Sequence, residues 1–417
     1  MTIFPRNPHR AVVVAASCCC LQAMAAPTDP GGFIAHVIPA GSQRLVGVSL
    51  GSFKSFGGTV SGVSVTGLTA SSALPPGFFG ASDSGFLTVR AGAFAGLAMT
   101  VTSVSGNELT LQRSPVGLIS PGDTLELFVN HTIGDLFGAQ NSVGLLAGTD
   151  ASQADTIGLW NAETQSSRVF YYRTGDGWRE SGNEAAGDQS RMPMPFPAAL
   201  VINRRGSTPL QVTIMGAVPM PMTPRYFEVS SGRNLVSAPF TWANKIADYG
   251  LYLEGSPYSV IGADAAPDAD TIRFSNFSSA TNSEVIYYRL GQGWRTAGAE
   301  GDAGNTPVEL GQSMDFQRRG PAGFIKAHGF PLQAGAALGA RSASAPVTTV
   351  PIQGTKPGAG GVQVEWTAEA GATYQVQTQL AGDDAWVDLG ESVTTEGTDG
   401  SAFCRPSGQG LLRIVKH

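Results

Sequence analysis

A chain of 417 residues is long enough to bury more than one core, but only 14% of it is Asp, Glu, Lys or Arg, while glycine numbers 54 and proline 26. That composition disfavours long amphipathic helices and favours short strands joined by tight turns, so the expected class is all-β. A net charge of −6 with few lysines argues against nucleic acid or an anionic membrane surface as a partner.

Residues 1–25 read as a secretory signal peptide. Arg6 and Arg10 precede the uncharged run AVVVAASCCCLQAMA, and the small-x-small triplet Ala23-Met24-Ala25 sets cleavage before Ala26. Lipid attachment at Cys18 competes with this, although the apolar stretch ahead of it is brief. Nothing downstream approaches the ~18 consecutive apolar residues of a membrane span. The expectation is an exported protein, extracellular or at the cell surface, with the periplasm as an alternative, and without an integral membrane segment after cleavage. Cys18, Cys19 and Cys20 leave with the signal, so Cys404 has no partner for an intramolecular disulfide and stability must come from packing.

Further along, the chain repeats itself. IPAGSQRLVGVSL, residues 38–50, is a turn and a short apolar strand, matched by EVSSGRNLVSAPF at 228–240. HTIGDLFG from His131 and WANKIADYG from Trp242 are each a helical turn. ADTIGLWNAETQSSR from Ala154 answers ADTIRFSNFSSATNSE from Ala269, VFYYRTGDGWRESG from Val169 answers VIYYRLGQGWRTAG from Val285, and NRRG from Asn203 answers QRRG from Gln317. The offsets, 115, 116 and 114 positions, are nearly constant, which predicts one duplicated unit. The first copy comprises 36–50 plus 131–218, and the second comprises 224–330. The first is split by 51–130, an insertion of a kind that surface turns tolerate. Within it LAMTVTSVSGNELTLQRSPVGLISPGDTLELFV alternates around Ser105-Gly106-Asn107 and Pro121-Gly122-Asp123, predicting a small SH3-like β-barrel or sandwich. Residues 333–361, rich in Ala, Gly, Ser, Thr and Pro, read as a linker; GTKPGAGG within it lacks the residue order of a phosphate loop. Residues 362–417 offer short strands between Gly and Asp turns, enough for a small β-sandwich.

With these motifs in hand, the pairing of NLVSAPF with ADTI, YYR…GW and RRG over 36–330 resembles an uncharacterised family of exported bacterial β-repeat proteins. The W-x-A…G-x-T-Y-x-V-Q…W-x-x-L-G…R-I-V pattern of 362–417 resembles fibronectin-III-like modules at the ends of bacterial secreted proteins. Neither resemblance implies a catalytic motif.

The chemistry of the repeated phrase admits two readings. As structure, Val169, Tyr171 and Arg173 share one strand face and Phe170 and Tyr172 the other, with Val285, Tyr287, Arg289 and Ile286, Tyr288 repeating this. Paired glycines then turn the chain so that Trp178 and Trp294 return beside the tyrosines. As function, Tyr172, Trp178, Arg179, Tyr288, Trp294 and Arg295 are candidate ligand contacts, aromatic faces for a sugar ring and arginines for its hydroxyls. The aspartates Asp150, Asp155, Asp264, Asp268 and Asp270 are candidate calcium ligands or Asx-turn acceptors, in loops without the EF-hand order. His36, His131, His328 and His417 stand singly, without zinc spacing, and no G-x-S-x-G elbow is present. Glu163, Glu180, Glu184, Asp188, Glu254, Glu284, Glu300 and Asp302 are available to a glycosidase, but no motif singles out a pair. The expected function is therefore non-catalytic, structural or adhesive, with no cofactor. Polysaccharide or another cell-surface component is the candidate partner; a carbohydrate-binding protein and a glycan-degrading enzyme are the alternatives.

Overall fold

A computed structural model describes residues 31–80, 83–217, 224–237, 244–274, 284–299, 301–308, 312–327, 349–380, 385–407 and 409–417. The expected signal peptide, His328 and Glu300 lie outside the described residues. Strand makes up 52% of the described residues and helix 4%, which establishes the all-β class. No described helix is long and apolar enough to cross a membrane.

Two five-stranded antiparallel sheets carry the duplication. The first runs Gly177–Glu180, Ser166–Arg173, Thr156–Asn161, Ala199–Asn203, Gln43–Gly47, and the second runs Gly293–Thr296, Val285–Arg289, Thr271–Phe274, Ser313–Arg318, Gly232–Ser237. The spatial order is identical. Each sheet is accompanied by a separate antiparallel ladder. In the first copy Gly31–Ile38 pairs with Leu210–Ala217; in the second, Arg225–Val229 pairs with Gly323–Ala327. A two-residue bridge also recurs, His131–Thr132 with Pro193–Met194 and Asn244–Lys245 with Pro307–Val308. Each copy closes over its own core, centred on Ile157, Phe170, Trp178 and Ile202 in one and Ile272, Ile286, Trp294 and Phe316 in the other.

Both expected helical turns form, by different means. Ile133–Phe137 is an α-helical turn with a capping box, Thr132 accepting from the Asp135 N–H while the Asp135 carboxylate accepts from the Thr132 N–H. Ile246–Tyr249 has no side-chain cap and winds as a 3-10 turn, ending at Gly250 in the left-handed region.

The insertion is a closed barrel of six strands, in the order Ser55–Val63, Gly67–Ala70, Glu108–Leu111, Ala98–Ser105, Gly85–Ala91, Thr124–Val129. Closure leaves no unpaired edge within the barrel. Its core of Leu87, Val89, Met99 and Leu127 extends to Tyr226 and Phe324 on the second copy's ladder. On its other side Phe86 stacks against Phe196 of the first copy, with ring centroids 4.2 Å apart. The barrel therefore packs against both copies.

The linker expectation is corrected at its C-terminal end. Thr349–Val350 and Ile352–Gly358 are strands, the latter paired with Gly361–Thr367, which in turn pairs with Asp399–Cys404. Small, Pro-containing composition there marks an edge strand, where one side of the backbone needs no partner. The rest of that stretch, 333–348, lies outside the described residues. Facing this three-stranded sheet, Gln409–Lys416 pairs with Thr373–Leu380 and also with Gly31–Ile38. One sheet thus joins the C-terminal sandwich to the first copy's ladder, and Phe33 and Met215 pack with Trp366 and Tyr374 in the sandwich core. A boundary at 362 would cut through that unit.

Candidate functional site

The recurring ADT and RRG motifs meet in space. Asp155 and Arg204 form an ion pair whose side chains are 0% and 6% exposed, and Asp270 and Arg318 repeat it at 2.5 Å with 0% and 7%. Burial of this kind demands that every oxygen be satisfied. Asp155 also accepts the backbone N–H of Leu146 (2.7 Å), Arg205 (2.6 Å) and Gly206 (3.1 Å). Asp270 accepts those of Ile261 (2.8 Å) and Arg319 (2.7 Å). These carboxylates clamp the loop before one strand to the end of another. Their oxygens are thus engaged within the protein, which removes Asp155 and Asp270 as calcium ligands. Asp150 accepts from the Ser152 N–H at 2.8 Å, and that turn, led by the Ser152 hydroxyl, holds its carboxyl below the usual range. No cluster of three or more metal-binding side chains occurs among the described residues.

The hairpins have the expected register, Tyr172 opposite Trp178 and Tyr288 opposite Trp294. Gly175 and Gly177, like Gly291 and Gly293, have positive φ, as the tight turns require. The tyrosine and indole rings meet edge to face in both copies, at 5.4 and 5.5 Å. Trp178 is fully buried, and its Nε1–H donates to the Gly138 carbonyl at 2.8 Å. Phe137 packs against it from the helical turn. The first hairpin thus has no exposed aromatic face at Trp178, and Tyr172 is half-buried against the same core.

The second hairpin differs. Trp294 is 5% exposed and borders a cleft of about 540 Å³ lined by Tyr252, Tyr288, Gln292, Arg295 and Asp302. Ala247, Gly250 and Asn305 complete its wall. Tyr252 and Tyr288 stack face to face, 3.7 Å apart, and both are half-buried.

The arginines that follow the indoles also part company. Arg179 and Arg295 each donate to the carbonyl of the preceding tryptophan, at 2.8 and 2.9 Å. In the first copy Asp176 lies between two arginines, 2.5 Å from Arg179 and 3.5 Å from Arg173, and its carboxylate accepts from the Arg179 Nε–H. Gln292 occupies that place in the second copy. Among the described residues Arg295 there has only the exposed carboxylate of Asp302 as an ion partner, at 3.4 Å, and its buried Nε–H has no acceptor.

The remaining carboxylates serve their own turns. Glu180 makes a two-pronged pair with Arg168 at 2.6 and 2.7 Å, which holds its carboxyl below the usual range, while the Arg168 guanidinium lies over Phe170. Asp188 caps the Trp178 N–H, Glu184 accepts from Gly182 and Glu284 accepts from the Thr296 hydroxyl. Cys404 is a buried free thiol, which burial pushes up to about 11. A scan of protein-family models, a search of curated proteins and a search of solved structures each return no match to this chain.

Proposed function

We propose that this chain is an exported, non-catalytic structural or adhesive protein of the cell surface or extracellular space, in which a doubled β unit carries a barrel and a terminal sandwich. The observation supporting the reading is that the residues common to both copies engage one another. The aspartate of ADT binds the first arginine of RRG, and the tryptophan of each hairpin packs under its tyrosine. Shared residues whose aspartate–arginine pair and tyrosine–tryptophan contact serve packing explain why the phrase recurs without invoking a reactive centre. The test has two parts. Mass spectrometry of the protein recovered from outside the producing cell should give an N-terminus at Ala26. The purified mature chain, incubated with the polysaccharides of that cell surface, should release no new reducing ends. Protein retained inside with Met1 intact would overturn the export reading, and release of reducing ends would overturn the non-catalytic one.

A further inference from the structure

We propose that the cleft of the second copy is a binding site for an acidic sugar, a pyranose carrying a carboxylate, alone or within an oligosaccharide. Its volume, about 540 Å³, falls in the range of small-molecule sites. Its composition is that of a sugar site and not of an apolar groove. Tyr252 and Tyr288 offer ring surface to the C–H faces of a pyranose, and the amides of Gln292 and Asn305 offer both donors and acceptors to hydroxyls.

The carboxylate is called for by Arg295. A buried N–H without an acceptor is costly, and such a group in a native fold needs an explanation. Among the described residues the Arg295 Nε–H is such a group, and its residue lines the cleft. The first copy shows what completes the arrangement, because there the Asp176 carboxylate accepts from the equivalent Nε–H of Arg179 at 3.1 Å. With Gln292 in place of that aspartate, the second copy keeps the guanidinium, loses the carboxylate that faced its Nε–H and retains only Asp302, at 3.4 Å on Nη1, among the described residues. No carboxylate lies within ion-pair distance of Arg289 among the described residues, although its counterpart Arg173 has Asp176. A ligand carboxylate would take the place of the missing side chain once a turn of the partly exposed Arg295 side chain brings its buried Nε–H to the cleft, giving the planar two-point geometry that arginine favours. Asp302, 60% exposed on its side chain, steadies Arg295 from the rim and accepts the Gly304 N–H at 2.9 Å.

Gln292 is exposed, so Gln292→Asp supplies the anion internally without disturbing the core. The experiment is isothermal titration of the mature full-length chain with a galacturonate trisaccharide, a glucose trisaccharide of the same linkage, free galacturonate and sodium acetate. The acidic trisaccharide should bind at least about tenfold more tightly than the neutral one, and Gln292→Asp should weaken it by about tenfold or more with an unchanged melting temperature. Free galacturonate should bind more tightly than acetate, because the ring as well as the carboxylate is held, and binding no tighter than acetate would count against the proposal. Asp176→Gln, in the filled first copy, should leave binding unaltered. Failure of the acidic trisaccharide to bind at millimolar concentration, equal binding of the neutral one, acetate binding as well as either sugar, or Gln292→Asp binding like the wild type would each overturn the proposal.

Discussion

In the first copy of the unit, Phe137 and the Gly138 carbonyl close over Trp178, and Asp176 neutralises the two arginines beside it. In the second, the same strands in the same order carry the same tyrosine–tryptophan contact, yet the indole borders an open cleft and the arginines have lost their aspartate. The buried ion pair and the tyrosine–tryptophan contact are common to both copies, whereas the exposed hairpin tip differs, Asp176 in one and Gln292 in the other. A duplicated unit keeps its architecture through the former and is free to diverge in the latter. The two ladders diverge as well. Gly31–Ile38 lends its free edge to the C-terminal sandwich, while Arg225–Val229 faces the barrel, with Tyr226 bridged to Leu97.

The strongest way to break this comparison is through the buried ion pairs. Asp155→Ala and Asp270→Ala each strand a buried arginine and should each cost about 3–5 kcal/mol in denaturant unfolding. Markedly unequal losses would mean that the copies are not held in the same way.

Titration sharpens the contrast between the ladders. Burial pushes Glu228, on the second ladder, up from 4.5 to about 7, against the opposing pull of Arg113 and of hydrogen bonds from Thr100 in the barrel. The native state therefore holds this proton more tightly than the unfolded chain. Its contribution is fully present below about pH 4.5 and is lost as pH rises through about 7. Burial lowers His36, on the first ladder, from 6.5 to about 4. Its contribution is present above about pH 6.5 and is lost as pH falls through about 4. Each limb is worth roughly 3 kcal/mol. Glu228→Gln should flatten the first slope and His36→Gln the second, as read by unfolding free energy against pH.

Trp178→Phe removes the indole donor, while the Gly138 carbonyl keeps the Asn141 N–H at 2.9 Å, so the loss is that of one hydrogen bond, about 0.5–1.5 kcal/mol. Trp294→Phe, beside the cleft, should cost less. The smallest effect on stability, within about 0.5 kcal/mol, belongs to Gln292→Asp, whose consequence is for binding.

The duplication, the split first copy and the inserted barrel were legible in the sequence, because near-constant offsets and turn-punctuated alternation are local signals. The edge strand Ile352–Gly358 was not, since an edge needs neither alternation nor bulk and so resembles a linker. ADT and RRG were visible as repeats, but their meeting was not, because a pairing across 49 and 48 positions exists only in the folded chain. Trp178, Arg179, Trp294 and Arg295 stood out equally as candidates. The two phrases differ at five positions, and the meaning of one of them, Asp176 against Gln292, depends on the arginines beside it. Tyr252 and Asn305 carried no signal, since nothing in their neighbourhood indicates that they reach the second hairpin.

Hydrogen exchange at the indole N–H groups of Trp178 and Trp294, followed by NMR, tests the matched yet divergent copies most directly. Trp178, bonded to Gly138 and sealed from solvent, should exchange only with unfolding of the first copy, and Trp294, at the wall of the cleft, should exchange many times faster. Equal protection of the two, or faster exchange at Trp178, would contradict one closed and one open version of the same unit.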